Sequence, residues 1–286
     1  MSVIERLADL DGSYDAVLCD AWGVIHNGLS ANAAAGLALS AARGRGLPVI
    51  ILTNAPRTKN QLAEHFTSMG VDKGSYDAIV SSGEVGRDAL KSSGLSACIH
   101  IGPKIDEALF GGVNVRLVSS ASEAQVIFAT GLRDNVAERA HSYVSLMQDL
   151  AACHLPMICV NPDKHVHIGL EIRDCAGALA EIYEHLGGKV SWIGKPFPEI
   201  YQQAEACLSD IVKHTIAPSR ILAIGDAAHT DILGASRMGY RTLLVAGGIH
   251  RQDLRDANID ITHPEALAEF CASKGARPDY FIETLR

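Results

Sequence analysis

The sequence lacks the features that mark nucleic-acid-binding and membrane proteins. No run of lysine or arginine exceeds two residues, and 33 acidic residues outnumber 25 basic ones, giving a formal net charge of -8. A basic groove for nucleic acid is therefore not expected. No stretch approaches the roughly 18 consecutive apolar residues of a membrane span. The start, MSVIERLADLDG, has no apolar segment typical of a signal peptide. We expect no nucleic-acid or membrane partner.

Two further sequence patterns are missing. The seven cysteines are odd in number and show no C-x-x-C spacing, which disfavours a disulfide framework or a zinc site. The pairs Gly111-Gly112 and Gly247-Gly248 lie outside any G-x-G-x-x-G pattern, so we interpret them as turns rather than as a dinucleotide site. Together these absences fit a protein of the reducing cytoplasm.

Short aliphatic runs alternate with helical patterns along the whole chain. Apolar residues at helical spacing, such as Leu62, Phe66 and Met69, indicate helices between the runs. Strand–helix repetition predicts parallel sheets covered by helices, hence an α/β fold with a Rossmann-like core. The clearest predicted strands are Ala16–Cys19, Val49–Leu52, Ala78–Val80, Cys98–Ile101, Val126–Ala129, Met157–Val160, Ile221–Ile224 and Thr242–Val245.

The chain is predicted to form two domains, one inserted into the other. Residues 1–82 and 190–286 carry every turn with a chemical character, and we assign them to the core. Residues 83–189 contain their own strand–helix units and a predicted long helix near residues 136–153. This arrangement is typical of an inserted α/β domain that enters and leaves near one edge of its host.

Four aliphatic runs end in polar turns. Ligands of open parallel sheets bind at the carboxyl ends of strands, so these turns should converge. Carboxylates placed close together need a cation, and oxygen ligands beside a phosphate favour Mg²⁺. A free carboxylate could attack phosphorus and form an aspartyl-phosphate. The aliphatic runs and the polar residues that follow them are AVLC with Asp20, VIIL with Thr53 and Asn54, SWI-G with Lys195, and ILAI-G with Asp226 and Asp231.

These four motifs in order resemble the haloacid dehalogenase-like phosphatases, class II subtype A, which include sugar-phosphate and p-nitrophenyl phosphate phosphatases. The resemblance covers nearly the whole chain and implies that residues 83–189 form an α/β cap. It implies that Asp20 is the nucleophile and a Mg²⁺ ligand. Trp22 would supply a backbone carbonyl to the metal, and Asp226 and Asp231 would complete the acidic site.

The resemblance also implies roles for the remaining motif residues. Thr53 and Asn54 match the phosphate-binding pair, and Lys195 matches the lysine that neutralises nucleophile and phosphate. Asn161 and Asp163, in an NPD stretch of the cap, would help to position the substrate. The expected partner is a small phosphorylated metabolite. An exposed apolar face of the cap would allow a homodimer.

The first motif, which begins at Asp20, departs from the family pattern at Trp22. Relatives usually carry a second aspartate there, which protonates the leaving oxygen, whereas indole is neither a general acid nor a general base. His26 or His229 could substitute, or turnover could be limited to good leaving groups. The alternative function is a protein that binds a phosphorylated ligand and turns it over slowly or not at all.

Several of these residues also have plainer interpretations. Thr53-Asn54 could be a simple turn before Pro56, and Asn161 could start an Asx turn. Asp231 also fits the acidic first turn of a helix. The pair His165 and His167 has the spacing of two metal ligands on one face of a strand, but no third ligand is apparent.

Overall fold

The computed structural model describes residues 2–168, 171–257, 259–260 and 263–286. Its strands, in chain order, are β1 Ser2–Val3, β2 Ala16–Cys19, β3 Val49–Thr53, β4 Ala78–Ser81, β5 Ala97–Ile101, β6 Arg116–Leu117, β7 Val126–Ala129, β8 Met157–Cys159, β9 His165–Ile168, β10 Glu171–Asp174, β11 Val190–Trp192, β12 Ile221–Gly225, β13 Arg241–Val245 and β14 Tyr280–Ile282. The α-helices are α1 Ala33–Gly44, α2 Lys59–Ser68, α3 Ser82–Ser92, α4 Val144–Ala152, α5 Ala176–His185, α6 Pro198–Val212, α7 Leu233–Arg237, α8 Arg251–Asp256 and α9 Pro264–Ser273.

The chain divides into two compact units by its internal contacts. The core unit comprises Met1–Thr53, Leu62–Val80 and Tyr201–Arg286, and the inserted unit comprises Asn54–Gln61 and Ser81–Ile200. The predicted domain boundaries, at residues 82/83 and 189/190, stay a prediction. Within the part of the chain that is described, no helix has both the length and the apolar character needed to cross a membrane.

The core unit is built on a seven-stranded sheet in the order β1-β14-β13-β12-β2-β3-β4. The pairings from β1 through β3 are parallel. Every residue of β2, β3 and β12 is buried, as expected for central strands covered on both faces, which read as continuous aliphatic runs. The predicted Rossmann-like α/β core is confirmed.

The inserted unit has its own parallel sheet, with five strands in the order β11-β8-β7-β5-β6. A separate antiparallel hairpin pairs β9 with β10. Helices α4 and α5 bury Met147, Leu150, Leu179 and Tyr183 in one apolar cluster with residues of β5, β7 and β8. This unit therefore has a hydrophobic core of its own, which confirms the predicted inserted α/β domain.

All eight strands predicted from aliphatic runs are confirmed to within a residue at each end. The predicted long helix near residues 136–153 is wrong in its first part, because α4 begins at Val144 after a 3₁₀ turn at Ala140–Tyr143. The Asp134 carboxylate accepts hydrogen bonds from the backbone N–H groups of Val136 and Ala137. This local bonding stabilises a turn in place of a helix.

Replacing either of two helical glycines by alanine should change the stability of the protein, in opposite directions. A Cβ at Gly86 in α3 would lie 2.0 Å from Val160 Cγ1, whereas a Cβ at Gly36 in α1 would meet nothing within 4 Å. We expect Gly86→Ala to destabilise the protein by about 1–3 kcal/mol through overpacking. Gly36→Ala should stabilise it by about 0.5–1 kcal/mol through helix propensity. Urea unfolding measures both changes, and equal effects would contradict the packing described around Gly86.

Candidate active site

Three acidic residues meet at the carboxyl ends of two adjacent core strands. Asp20 follows β2 and Asp226 follows β12, and these strands pair in parallel with Cys19 opposite Ile224. Asp231 lies in the turn that begins α7. All three side chains are buried, and each offers one carboxylate oxygen within 4.8 Å of the others. The motifs that carry Asp20, Asp226 and Asp231 therefore meet at one edge of the core sheet, as the strand-end rule predicts.

The backbone fixes the Asp20 carboxylate at the end of β2. The Asp20 N–H donates to Ile224 O at 2.8 Å, so the residue still belongs to the sheet ladder. Its own Oδ1 accepts a hydrogen bond from Ala21 N at 2.7 Å. A charge-assisted bond of this kind stabilises the ionised form and holds one carboxylate oxygen in place.

Asp226 is held by a backbone loop that fits closely around it. Its Oδ2 accepts a hydrogen bond from Ile249 N at 2.7 Å. A Cβ at Gly23, whose φ is +79°, would lie 1.8 Å from the same oxygen, and a Cβ at Gly248 would lie 2.2 Å from Asp226 Cβ. Any side chain at these glycines would displace the carboxylate.

The contribution of residues 248–249 was missed in the sequence, where Gly247-Gly248 was interpreted only as a turn. The turn is present, since Gly248 N donates to Val245 O at 3.3 Å. The position of the pair in the sequence could have indicated this contribution. The pair follows β13 and therefore lies at the same sheet edge as Asp20 and Asp226.

Asp231 has the position that its plainer interpretation predicts. It lies in the first turn of the helical segment Ala228–Ile232, where an acidic group is favourable. Its Oδ2 also accepts a hydrogen bond from Ala227 N at 3.0 Å. A Cβ at Gly225 would lie 2.2 Å from Asp231 Cγ, so glycine at the end of β12 gives the carboxylate its space.

The cluster has the donor set of a hard divalent cation. Asp20, Asp226 and Asp231 present oxygen ligands only, and three buried carboxylates so close together repel each other without a positive charge among them. Mg²⁺ prefers such ligands and is commonly held by a few carboxylates together with substrate phosphate. The residues present therefore fit a divalent metal.

Thr53 ends β3, the strand next to β2, and is buried. Its position places a hydroxyl-bearing residue at the same edge of the core sheet as Asp20. The chain then passes to Asn54, the first residue of the inserted unit. The predicted phosphate-binding pair thus spans the point where the polypeptide leaves the core sheet.

Within the inserted unit, the Asn54 side chain joins two other motif segments. Its Nδ2 donates to Asp163 Oδ1 at 3.0 Å and to Lys195 O at 3.1 Å. Its Oδ1 accepts from Lys195 N at 2.7 Å. The amide therefore uses both of its hydrogens to hold Lys195 and Asp163 in place. A direct phosphate contact from Asn54 would have to come from its backbone N–H.

A glycine allows this arrangement beside Lys195. Gly194 has φ +126°, and a Cβ there would lie 2.7 Å from Asn54 Oδ1 and 2.7 Å from Pro162 Cδ. Lys195 itself is 4% exposed. A buried lysine requires negative or polar partners, because desolvation disfavours the ammonium form.

The NPD stretch has the turn that its plainer interpretation predicts. Asn161 is buried, and its Oδ1 accepts a hydrogen bond from Asp163 N at 3.1 Å, which is the Asx turn of the plainer interpretation. Asp163 also accepts the hydrogen bond from Asn54. The turn therefore presents Asp163 to the segment that carries Asn54.

The environment of His26 disfavours it as a substitute general acid. Burial, with a smaller contribution from His65, lowers the pKa of His26 to about 4, so the ring is neutral near pH 7. Its Nδ1 accepts a hydrogen bond from Gly28 N at 3.0 Å, and the ring lies 5.7 Å from the Trp22 ring between centroids. His26 instead supports the loop that follows Asp20.

His229 remains the more accessible of the two candidates. Its side chain is exposed, and it lies two residues before Asp231 in the same turn. The buried His250, which sequence patterns did not single out, anchors this turn because its Nε2 accepts a hydrogen bond from Ala228 N at 3.1 Å.

The histidine pair on β9 shows no sign of a metal site in the described residues. His165 Nδ1 lies 3.0 Å from Asp174 Oδ1 on the paired strand β10. The side chain of His167 lies outside the described part of the structure. His165 is an exposed histidine with a carboxylate neighbour.

Comparison with known proteins agrees with this geometry. Residues 17–116 match the family model described as haloacid dehalogenase-like hydrolase, and residues 192–286 match the model described as HAD-hydrolase-like. Ribonucleotide monophosphatase NagD of Escherichia coli K12 is 27% identical over 241 residues, covering 83% of this chain and 89% of that protein.

Solved structures extend the similarity over the whole chain. A hydrolase of the haloacid dehalogenase-like family from Brucella suis 1330 is 37% identical with a TM-score of 0.88, covering 99% of this chain and 100% of that one. A possible sugar phosphatase from Cytophaga hutchinsonii shares the fold, with 20% identity, a TM-score of 0.80, and coverage of 99% and 98%. The resemblance seen in the motifs is thereby confirmed, and the chain belongs to the haloacid dehalogenase-like hydrolase family.

Proposed function

We propose that this protein hydrolyses small phosphate monoesters in a Mg²⁺-dependent reaction with Asp20 as nucleophile. The observation that carries the proposal is the cluster of three buried carboxylates at the carboxyl ends of the core strands. Its membership of a hydrolase family supports a phosphatase, as do relatives named ribonucleotide monophosphatase and possible sugar phosphatase. Sugar phosphates or nucleoside monophosphates are the substrate classes that these names suggest.

Asp20, Asp226 and Asp231 would hold the Mg²⁺ ion, and the backbone carbonyl of Trp22 would be a further ligand. When bound, the ion would offset the negative charge of the carboxylates and polarise the phosphoryl oxygens. The short hydrogen bonds from Ala21 N to Asp20 and from Ile249 N to Asp226 hold these carboxylates in their orientations. Such preorganisation lowers the cost of assembling the charged site.

In the proposed reaction, a carboxylate oxygen of Asp20 attacks phosphorus as the P–O bond to the ester group breaks. That group leaves as an alkoxide or phenolate, which takes its proton from water. Water then attacks the aspartyl-phosphate, releasing inorganic phosphate and restoring the Asp20 carboxylate. Lys195 would balance charge on the transferring phosphoryl group, while the Thr53 hydroxyl and the Asn54 backbone N–H would bind its oxygens. Asn161 and Asp163 would help to position the rest of the substrate.

Trp22 sets the chemical preference that we propose. General acid catalysis commonly contributes about 10²–10⁴-fold, and indole cannot supply it. The low pKa of His26, about 4, disfavours it as a substitute and leaves the exposed His229 as the other candidate. We therefore infer that esters with readily leaving alcohols are turned over fastest. The same observation favours the second candidate function, a protein that binds a phosphorylated ligand with little turnover.

Replacing the nucleophile should abolish turnover. Asp20→Asn is expected to reduce Mg²⁺-dependent release of phosphate from p-nitrophenyl phosphate by at least about a thousand-fold, because an amide oxygen is a poor nucleophile. Asp15→Asn is the matched control, since Asp15 is exposed and paired with Arg220 at 2.6 Å. Release that survives in Asp20→Asn would rule out the proposed nucleophile.

Mg²⁺ binding should be visible as added stability. At about 100 times its Kd, a ligand that binds only the native state adds about 2.7 kcal/mol. We expect Mg²⁺ to raise the Tm of the wild type and of Asp210→Asn, an exposed control on α6, but not that of Asp226→Asn. Chelation with EDTA should reverse the rise and remove activity. An equal rise in Asp226→Asn would contradict the proposed ligand set.

Restoring a carboxyl group at position 22 should change the dependence on leaving group. We expect Trp22→Asp to increase kcat/KM most for alkyl phosphates and least for p-nitrophenyl phosphate, because poor leaving groups gain most from protonation. Trp22→Asn is the control of similar size without an acid. If both variants change all substrates by the same factor, the missing acid does not limit the rate.

A further inference from the structure

The surface of the inserted unit has an open cavity of about 560 Å³ that the proposed reaction does not use. It is lined in part by His100, Lys104, Glu107, Ser119 and Arg133. None of these residues belongs to the candidate active site described above. The volume falls within the range of about 300–1,000 Å³ that is common for small-molecule sites.

The position of the cavity within its sheet is that of a ligand site. His100 lies in β5, Ser119 follows β6 and Arg133 follows β7, so three parallel strands contribute their carboxyl-terminal ends. In the strand order β7-β5-β6, the strand that follows β5 in the chain lies on one side of it, and the next strand, β7, lies on the other side. Open parallel sheets bind ligands at such a reversal of strand order.

The lining charges favour an anion with a hydrogen-bond donor. Lys104 and Arg133 are cationic and Ser119 can donate a hydrogen bond, against the single carboxylate of Glu107. His100 is neutral near pH 7 and uses its Nε2 hydrogen for Thr130, so its other ring nitrogen is an acceptor. The Arg133 guanidinium lies 5.9 Å from the centre of the Tyr143 ring, a cation–π contact that restricts its orientation. A small organic anion that carries a hydroxyl group would satisfy both cations and Glu107.

A chain of polar contacts leads from the cavity into the unit. His100 Nε2 lies 2.9 Å from Thr130 Oγ1. A hydrogen bond from Thr130 favours the ionised form of Asp106, although burial raises the pKa of Asp106 overall, to about 6. A Cβ at Gly102 would lie 1.8 Å from Thr130 Oγ1, so glycine is required for this pair to form.

The chain of contacts ends on the segment that carries Asn54. Asp106 is 1% exposed, and its Oδ1 lies 3.7 Å from Arg57 Nε without a hydrogen bond of its own. A buried carboxylate with one unsatisfied oxygen is sensitive to small movements of its neighbours. Ser81 Oγ donates to Arg57 O at 2.7 Å, and Ser82 Oγ donates to Asn54 O at 2.7 Å.

We propose that this cavity is a second binding site, for a small hydroxylated organic anion, whose occupancy acts on the Asn54–Gln61 segment through His100, Thr130, Asp106 and Arg57. The ligand would contact His100 on the cavity side and restrict its ring. A restricted ring fixes the hydrogen bond of Thr130 to Asp106, and with it the contact to Arg57. This inference goes beyond the proposed function, since binding here needs no turnover.

The anionic group could be a carboxylate or a phosphate, so binding is tested with two probes that are not hydrolysed. These are glycerate and 2-hydroxyethylphosphonate, titrated calorimetrically into the full chain. We expect at least one to bind, and the variant Lys104→Met/Arg133→Gln to weaken that binding at least about tenfold, because two charge-assisted contacts are lost. Arg139→Gln, an exposed arginine bonded to Val136 O and Glu138 O, should bind as the wild type does.

Binding by neither probe at about 10 mM would overturn the site, and so would equal binding in the double variant. Phosphonate binding that is lost in Asp226→Asn but kept in the double variant would mean that the probe occupies the phosphatase site. That result would also overturn the proposal that the second site binds a phosphate-type anion. These outcomes are independent of activity, so a failed phosphatase assay does not affect them.

The contact chain is tested by hydrogen–deuterium exchange of residues 54–61. The bound probe should slow exchange there in the wild type, and Thr130→Val should abolish the slowing while changing probe affinity by less than about threefold, because valine keeps the shape without the hydroxyl. A Tm within a few degrees of the wild type establishes that the variant is folded. Unchanged exchange in the wild type, or equal slowing in Thr130→Val, would overturn the relay.

Discussion

The mutual repulsion of three buried carboxylates is the constraint on which the core unit depends. Asp20, Asp226 and Asp231 each point an oxygen at the others over less than 4.8 Å. Burial makes this more costly, since a low dielectric strengthens repulsion and disfavours charge. Backbone N–H groups from Ala21, Ile249 and Ala227 offset part of the cost. A divalent cation among the three carboxylates would offset their repulsion further, so this geometry fits a metal site.

In the inserted unit, three segments must be held together, and one side-chain amide joins them. Asn54 exchanges hydrogen bonds with Lys195 in both directions and donates to Asp163. These residues are far apart in sequence, and the amide joins the Asn54 segment to the turns that follow the paired strands β8 and β11. Replacing the amide would leave buried polar groups without partners, which commonly costs about 1–3 kcal/mol each. The observed role of the Asn54 side chain is therefore structural.

Much of this could be predicted from the sequence because strand-end turns leave a local signature. Aliphatic runs identified β2, β3 and β12, and the polar residues after them identified Asp20, Thr53 and Asp226. What was missed depends on contacts between distant segments. The N–H of Ile249 reaches Asp226, and the ring of His250 reaches Ala228, but neither has a motif of its own. Helix α4 is shorter than predicted because the hydrogen bond that the Asp134 carboxylate accepts from a backbone N–H competes with helical hydrogen bonding.

The central claim is that Asp20 becomes phosphorylated during turnover, and it can be tested on the protein chain itself. Borohydride reduces an aspartyl-phosphate to homoserine, so quenching the enzyme in borohydride during Mg²⁺-dependent turnover of p-nitrophenyl phosphate marks the phosphorylated residue for mass spectrometry. We predict homoserine at position 20 when both substrate and Mg²⁺ are present. Phosphate release accompanied by homoserine at another aspartate, with none at position 20, would contradict the account.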